Sequence, residues 1–240
     1  MISLFVRSYP NDFDWLSHSI VSMKKNLIGV DDRVLCVPIG SAVPNTIASF
    51  FDKVVYSDQE QEGGVEQAQR DGYVAQQIDK IRAYKHCAHQ HILFSDSDCI
   101  YFNPFDATKM IEDEHIRLYM TKYSSMDGAV LQWQGITQIA TGIFPGWEYM
   151  RCLPIMHHAI TCHHLDNLTH YNNYLQTMTH RALSEFNALG IIAETVFPSK
   201  YKFIDTEVEL PKQQSTQFWS WGGITEEIAR KLGELYEPKH

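Results

Sequence analysis

Several familiar signatures are missing from this 240-residue sequence, and each absence removes a class of protein. Its five cysteines (Cys36, Cys87, Cys99, Cys152 and Cys162) form no CxxC pair and are odd in number. Reduced, buried thiols of a cytoplasmic protein are therefore expected in preference to a disulfide scaffold. No apolar run approaches the ~18 residues that cross a bilayer, so no transmembrane segment is expected. The opening MISLFVRSYPNDFDW reaches acidic residues too early for a signal peptide. There is no GxxxxGK[ST], no GxGxxG after the first apolar run, no GxSxG and no HExxH. P-loop, dinucleotide-binding, nucleophile-elbow and zinc-protease chemistries lose their carriers. Neither an internal repeat nor a low-complexity linker divides the chain, so residues 1–240 are read as one domain.

Positive charge is also scarce. Lys and Arg number 20 against 29 Asp and Glu, a net charge of -9. Sequence-blind binding to nucleic acid needs a basic surface that displaces counterions, and this balance counts against it, leaving open a local basic groove. An acidic protein that handles a nucleotide diphosphate has to recruit a divalent cation, because its carboxylates alone repel the phosphates.

What is present is an ordinary globular composition, 44% hydrophobic and 20% charged, in a chain long enough for a real core. Ile2 to Val6 reads as a buried strand ending in the polar loop Arg7 to Asp12. Trp15, Leu16, Ile20, Met23 and Leu27 recur at helical spacing. Strands follow at Arg33–Val37 and Lys53–Tyr56, then a long helix from about Glu66 to Ala88. Strand, helix, strand in this order predicts an α/β fold with a mostly parallel central sheet, Rossmann-like, flanked by helices. Residues 116 to 144 read as mainly extended, with turns at Asp127-Gly128 and Gln134-Gly135. Tyr149 to Leu189 reads as helical with interruptions, and Thr225 to Leu235 as a last helix. The second half is thus less regular than the first.

The segment His91-Ile92-Leu93-Phe94 runs straight into Ser95-Asp96-Ser97-Asp98. A strand that ends in two aspartates sets carboxylates at the carboxyl edge of a sheet, where open α/β folds bind ligands. Packing two such groups there calls for a counter-charge, and Mg²⁺ or Mn²⁺ held by Asp96 and Asp98 is the natural one. A bare Asp-x-Asp is usually a solvated turn; its place after an apolar strand makes the metal reading the better one.

The stretch HILFSDSDCIYFNPF resembles the DxD region of GT-A-fold glycosyltransferases, of the small bacterial and phage kind. Gly72 to Lys80 looks like the helix that precedes that strand in such proteins. Ser184-Glu185-Phe186-Asn187-Ala188-Leu189-Gly190 looks like their acceptor-side Glu motif, and Phe218-Trp219-Ser220-Trp221-Gly222-Gly223 like their late aromatic loop. The blocks keep family order across nearly the whole chain, and the DxD is the most specific of them.

The resemblance implies a GT-A-like fold, with a nucleotide-sugar donor half in 1–105 and an acceptor half in 106–240. A UDP-, GDP- or CDP-sugar would be held by Arg7, Tyr9, Gln77, Lys80, Asp96, Ser97 and Asp98. Lys80 would meet a phosphate as a point charge, with Gln77 or Gln76 on ribose or sugar, or else the three belong to a solvated helix face. Arg7 either holds phosphate or base oxygens or pairs with a structural carboxylate. Glu185 would take the proton of the acceptor hydroxyl in an inverting transfer, or else it is a helix N-terminal charge. Trp219 and Trp221 form an acceptor-side lid or a packing corner. The acceptor would be a surface glycan, a glycolipid or a modified base in DNA.

His157, His158, Cys162, His163, His164 and His170 invite a zinc reading, but no second ligand pair stands at a recognisable distance. Two rivals remain. A nucleotidyltransferase usually carries a Gly-rich basic loop after its first strand, which RSYPND does not supply. A non-catalytic subunit that binds sugar nucleotides is the other.

Overall fold

The computed structural model describes residues 1–58, 72–150, 154–177, 182–210, 215–218 and 223–233. Strand β1 (Ile2–Arg7) is buried at every position, as a strand covered on both faces must be. Helix α1 (Phe13–Asn26) turns Trp15, Leu16, Ile20 and Met23 inward, the spacing expected of a helix lying on a sheet. Strands β2 (Asp32–Pro38) and β3 (Lys53–Ser57) follow.

Helix α2 (Gly72–Ile81) passes into a 3₁₀ turn over Arg82–Lys85 and then into β4 (His91–Asp96). The long helix expected over 66–88 is therefore shorter, and its residues 66–71 lie outside the described residues. The early end has a cause. Buried Asp166 gathers Arg82, Tyr84 and Lys85 at distances of 3.0, 3.0 and 2.7 Å, which draws all three side chains to one point.

The main sheet has the order β7–β4–β1–β2–β3, where β7 (Ile155–His158) is antiparallel to β4 and the other pairings are parallel. The chain builds outward from β1 through β2 and β3, then returns across α2 to lay β4 on the other side of β1. That reversal puts a topological switch point at the carboxyl ends of β1 and β4, the place where such sheets take ligands. In register, Arg7 stands opposite Asp96 there.

The second half departs from the expected extended run. After β5 (Cys99–Tyr101) and β6 (His115–Lys122) comes helix α3 (Gln132–Thr141), where a turn at Gln134-Gly135 was expected. Gly135 lies inside this helix and is not among the glycines with positive φ, so it serves no turn. Thr137, Ala140 and Thr141 instead form a buried stripe, and the helix stops at Gly142 in the left-handed region, φ 77°.

The helical stretch expected over 149–189 is broken by β7, whose own short sequence Ile-Met-His-His gives no strand signal. Helices α4 (Ala159–Asp166), α5 (Thr169–Thr177) and α6 (Glu185–Val196) complete it. β8 (Tyr201–Asp205) pairs parallel with β6, and β9 (Ser215–Gln217) pairs antiparallel with β5. Helix α7 (Glu226–Gly233) ends the described chain.

One large apolar core spans the sheet and the helices on it. A second, small cluster of Trp15, Ile100 and Leu232, with Phe102, Phe218 and Ile228, holds the C-terminal segment. Among the described residues no helix is long and apolar enough to cross a membrane. Cys36, Cys87, Cys99 and Cys162 are free thiols, and Cys152 lies outside the described residues.

Candidate active site

The carboxyl ends of β1 and β4 gather residues that are far apart in the chain. Lys80, at the end of α2, is 2% exposed and extends its ammonium to two carboxylates. Its Nζ lies 2.5 Å from Asp96 Oδ1 and 2.8 Å from Glu185 Oε1. Asp96 is the last residue of β4, and Glu185 is the first of α6. Three residues assigned to the site from sequence thus touch. Burial pulls the Lys80 ammonium down, but Asp96 and Glu185 more than offset it and hold its pKa above the ordinary lysine value. The ring of Phe186 lies under the same ammonium at 4.9 Å.

Gln77 belongs to this junction in a different role from the one expected. Its Oε1 accepts a hydrogen bond from the Glu185 backbone N–H at 3.1 Å. An otherwise open donor in the first turn of α6 is thereby capped by a side chain one turn back from Lys80. The α2 helix therefore fixes both the backbone and the carboxylate of Glu185.

Arg7 is where the structure chooses between two readings. Its Nε donates to Asp79 Oδ2 at 2.8 Å, and the guanidinium also donates to the Ser8 carbonyl. Ser57 Oγ donates to the other Asp79 oxygen at 2.5 Å. The pairing with a structural carboxylate is the one observed, and it leaves Arg7 2% exposed. Tyr9 is half-buried on the loop that leaves β1, just before the 3₁₀ turn Pro10–Asp12. That loop is tied to the two aspartates, since Ser97 Oγ donates to Asp12 Oδ2 at 3.1 Å.

Residues that sequence reasoning missed sit on both sides of Asp96-Ser97-Asp98. Asp12 and Asp79 organise the β1 tip. Gln217, the last residue of β9, donates from Nε2 to Asp96 Oδ2 at 2.9 Å. The next residue, Phe218, donates its backbone N–H to the Asp98 carbonyl at 3.2 Å. A lone glutamine beside an aromatic loop carries no sequence signal. Its contact depends on strand pairing 121 residues away. Trp219 and Trp221, one and three residues further on, lie outside the described residues.

A divalent cation fits the chemistry of this donor set. Asp96 and Asp98 bring hard carboxylate oxygens, and Mg²⁺ or Mn²⁺ takes one or two of these and completes its shell from phosphate and water. Asp96 is shared with Lys80 and Gln217. Among the described residues no group of three or more His, Cys, Asp and Glu is placed to hold a metal.

The histidine cluster disperses. His157 is fully buried, stacked on Phe186, and its imidazole pKa is pushed down to about 3 by burial. His158 accepts from Ile160 N at the start of α4, and burial, with help from His91 and Lys200, lowers it to about 4. His170 contacts the carbonyl of Ile139. These are packing and capping roles.

The molecule is thus an α/β protein, a mostly parallel sheet flanked by helices with acidic residues at its switch point. Its fold is similar to that of the inositol-1-phosphate CTP transferase from T. maritima, with a TM-score of 0.52 and 12% identity over 99% of this chain and 97% of that one. It is also similar to the galactosyltransferase LgtC solved with donor and acceptor sugar analogs (TM-score 0.49, 9% identity, 86% of this chain and 74% of that one). A third similar structure is the apo-form glycosyltransferase GlyE of Streptococcus pneumoniae TIGR4 (TM-score 0.43, 12% identity, 85% and 45%). No family model matches the chain, and no curated protein matches it in sequence. At such identities the likeness speaks for the fold alone.

Proposed function

We propose that this protein transfers a sugar from a nucleotide-diphosphate donor to an acceptor hydroxyl. The observation that carries the reading is the junction of Asp96, Lys80 and Glu185 at the carboxyl edge of the sheet. Residues 1–105 supply the donor side, and 106–240 the acceptor side. Tyr9, on the loop that leaves β1, stacks on the nucleobase in this reading. Arg7 acts from behind, holding Asp79 and the loop that carries Tyr9.

Asp96 and Asp98 would hold Mn²⁺ or Mg²⁺, which when bound supplies charge against the departing diphosphate. Lys80 donates to Glu185 Oε1 at 2.8 Å and so fixes one of its oxygens before the acceptor arrives. In a single displacement the acceptor oxygen bonds to the anomeric carbon as the bond to the diphosphate breaks. The acceptor proton passes to the Glu185 carboxylate, and the configuration is inverted. The acceptor is a surface glycan, a glycolipid or a modified DNA base, and the donor a UDP-, GDP- or CDP-sugar.

A nucleotidyltransferase is the second reading, supported by the fold shared over nearly the whole chain with a CTP transferase. Against it stands the segment after β1. A triphosphate calls for a loop of glycines and basic residues there, and Ser8 to Asp12 forms a short turn that ends in a buried aspartate.

The two readings separate in a thermal-shift screen with Mn²⁺, followed by product analysis. Stabilisation by a nucleotide sugar and release of its nucleoside diphosphate support transfer. Stabilisation by a nucleoside triphosphate, with pyrophosphate released on adding a sugar phosphate, supports the rival. A protein that binds nucleotide sugars but neither hydrolyses nor transfers them is the non-catalytic subunit.

A further inference from the structure

Asp96 is clamped on both oxygens. Oδ1 faces the Lys80 ammonium at 2.5 Å, and Oδ2 accepts the Gln217 amide at 2.9 Å. The Gln217 hydrogen bond to one oxygen restrains rotation of the carboxylate whose other oxygen faces Lys80. The same ammonium holds Glu185 at 2.8 Å. Gln217, Asp96, Lys80 and Glu185 therefore form one chain of contacts, with a neutral amide at one end and the proposed base at the other.

The amide is delivered by strand pairing. β9 lies antiparallel to β5 with Gln217 opposite Cys99, the residue after Asp98. The pairing runs on, since the Phe218 N–H bonds the Asp98 carbonyl. Phe218 is then anchored, its ring stacked on Trp15 at 5.6 Å and edge-on to Phe102 at 6.1 Å. Leu232 of α7 is buried against the same Trp15. This cluster is separate from the main core. The C-terminal segment is thus docked by its own apolar contacts in a register that aims one side chain at Asp96.

From this we propose that Gln217 is a positioning residue, whose amide orients the Asp96 carboxylate and through it the Lys80 ammonium that holds Glu185. It touches no substrate in this role. The inference rests on the transfer reading for its effect on rate, but the alignment of Lys80 is independent of what the protein catalyses.

The test has two arms on the full chain. In the first, the Lys80 side-chain NH₃⁺ signal is followed by ¹⁵N NMR in wild type, Gln217→Ala, Gln217→Glu and Ile228→Ala. Gln217→Glu keeps the shape and removes the donor, and Ile228→Ala loosens the same segment without touching Asp96. A positioning role moves the Lys80 shift and speeds its hydrogen exchange in both Gln217 variants but not in Ile228→Ala. An unchanged signal in the Gln217 variants, or an equal change in all three, overturns the proposal.

In the second arm, turnover of a nucleotide sugar with Mn²⁺ falls about tenfold in the Gln217 variants, the rate equivalent of a hydrogen bond to a charged group. The donor KM stays near its wild-type value. If wild type turns over no nucleotide sugar, the transfer reading fails, and the first arm still decides the role of Gln217.

Discussion

Lys80 and Glu185, 105 residues apart in the chain, are joined by a 2.8 Å hydrogen bond in the interior of the protein. Lys80 reaches Asp96 as well, so one buried ammonium balances two carboxylates from different elements. A charge in such a place persists only while its partners do. The contact therefore ties the helix before β4 to the first turn of α6, and ties stability to the site.

Replacing Lys80 by alanine leaves Asp96 and Glu185 facing each other without their shared cation. The expected loss of folding stability is about 3–5 kcal/mol, the usual cost of removing one member of a buried pair. Urea unfolding of Lys80→Ala measures it. A loss below about 1 kcal/mol would mean that the two carboxylates are neutralised by another group.

Glu185→Gln keeps the shape of the side chain and an oxygen for Lys80 but abolishes the base. Transfer to the acceptor is expected to fall by about 10²–10⁴, while the donor still binds. Transfer assays beside calorimetric titration of the donor separate these effects. Equal loss of both would place Glu185 in donor binding.

Asp98→Ala tests the cation. In wild type, Mn²⁺ together with a nucleoside diphosphate raises Tm, because both bind the folded state alone. In the variant that rise disappears, and Mn²⁺ without nucleotide gives little rise in either protein. A full rise retained in Asp98→Ala would move the cation elsewhere.

His157 sets an acid limit on stability. Burial lowers its imidazole from 6.5 to about 3, so the folded state keeps it neutral where the unfolded chain takes up a proton. The stabilisation is complete above pH 6.5 and is lost as pH falls toward 3, at about 1.4 kcal/mol per pH unit for one proton. His157→Phe, packed on Phe186 and Phe94, removes this slope. Its acid-unfolding midpoint is expected to lie at lower pH than that of wild type; an unshifted midpoint would assign acid lability to other groups.

Gly190 is a packing requirement in α6. A Cβ there would lie 2.2 Å from the Tyr149 ring, whose backbone N–H bonds Asn187 Oδ1 at 2.8 Å. Gly190→Ala is expected to cost about 1–3 kcal/mol through overpacking, measured by thermal unfolding. No change in Tm would show that Tyr149 moves aside freely.

Much of the first half of the fold was legible in the sequence because its signals are local. The apolar run at β1, the helical spacing in α1 and the strand running into Asp96-Ser97-Asp98 each depend on neighbours a few residues away. Lys80 and Glu185 were legible as candidates through a resemblance of short blocks. Their contact was not, because no pattern along the chain encodes a distance across it. The errors came where local signals conflict with packing. Gly135 reads as a turn yet lies within α3, whose buried stripe faces other helices. The four residues of β7 become a strand through pairing with β4.

Asp96-Ser97-Asp98 illustrates the division best. Sequence alone determined that two carboxylates end an apolar strand, since chain order dictates where a strand stops. Only the tertiary structure decided that Asp96 is shared between Lys80 and Gln217, and that Arg7 turns to Asp79. A buried charge takes whichever opposite charge or donor lies nearest in space, and nearness in space is settled by the packing of the whole domain.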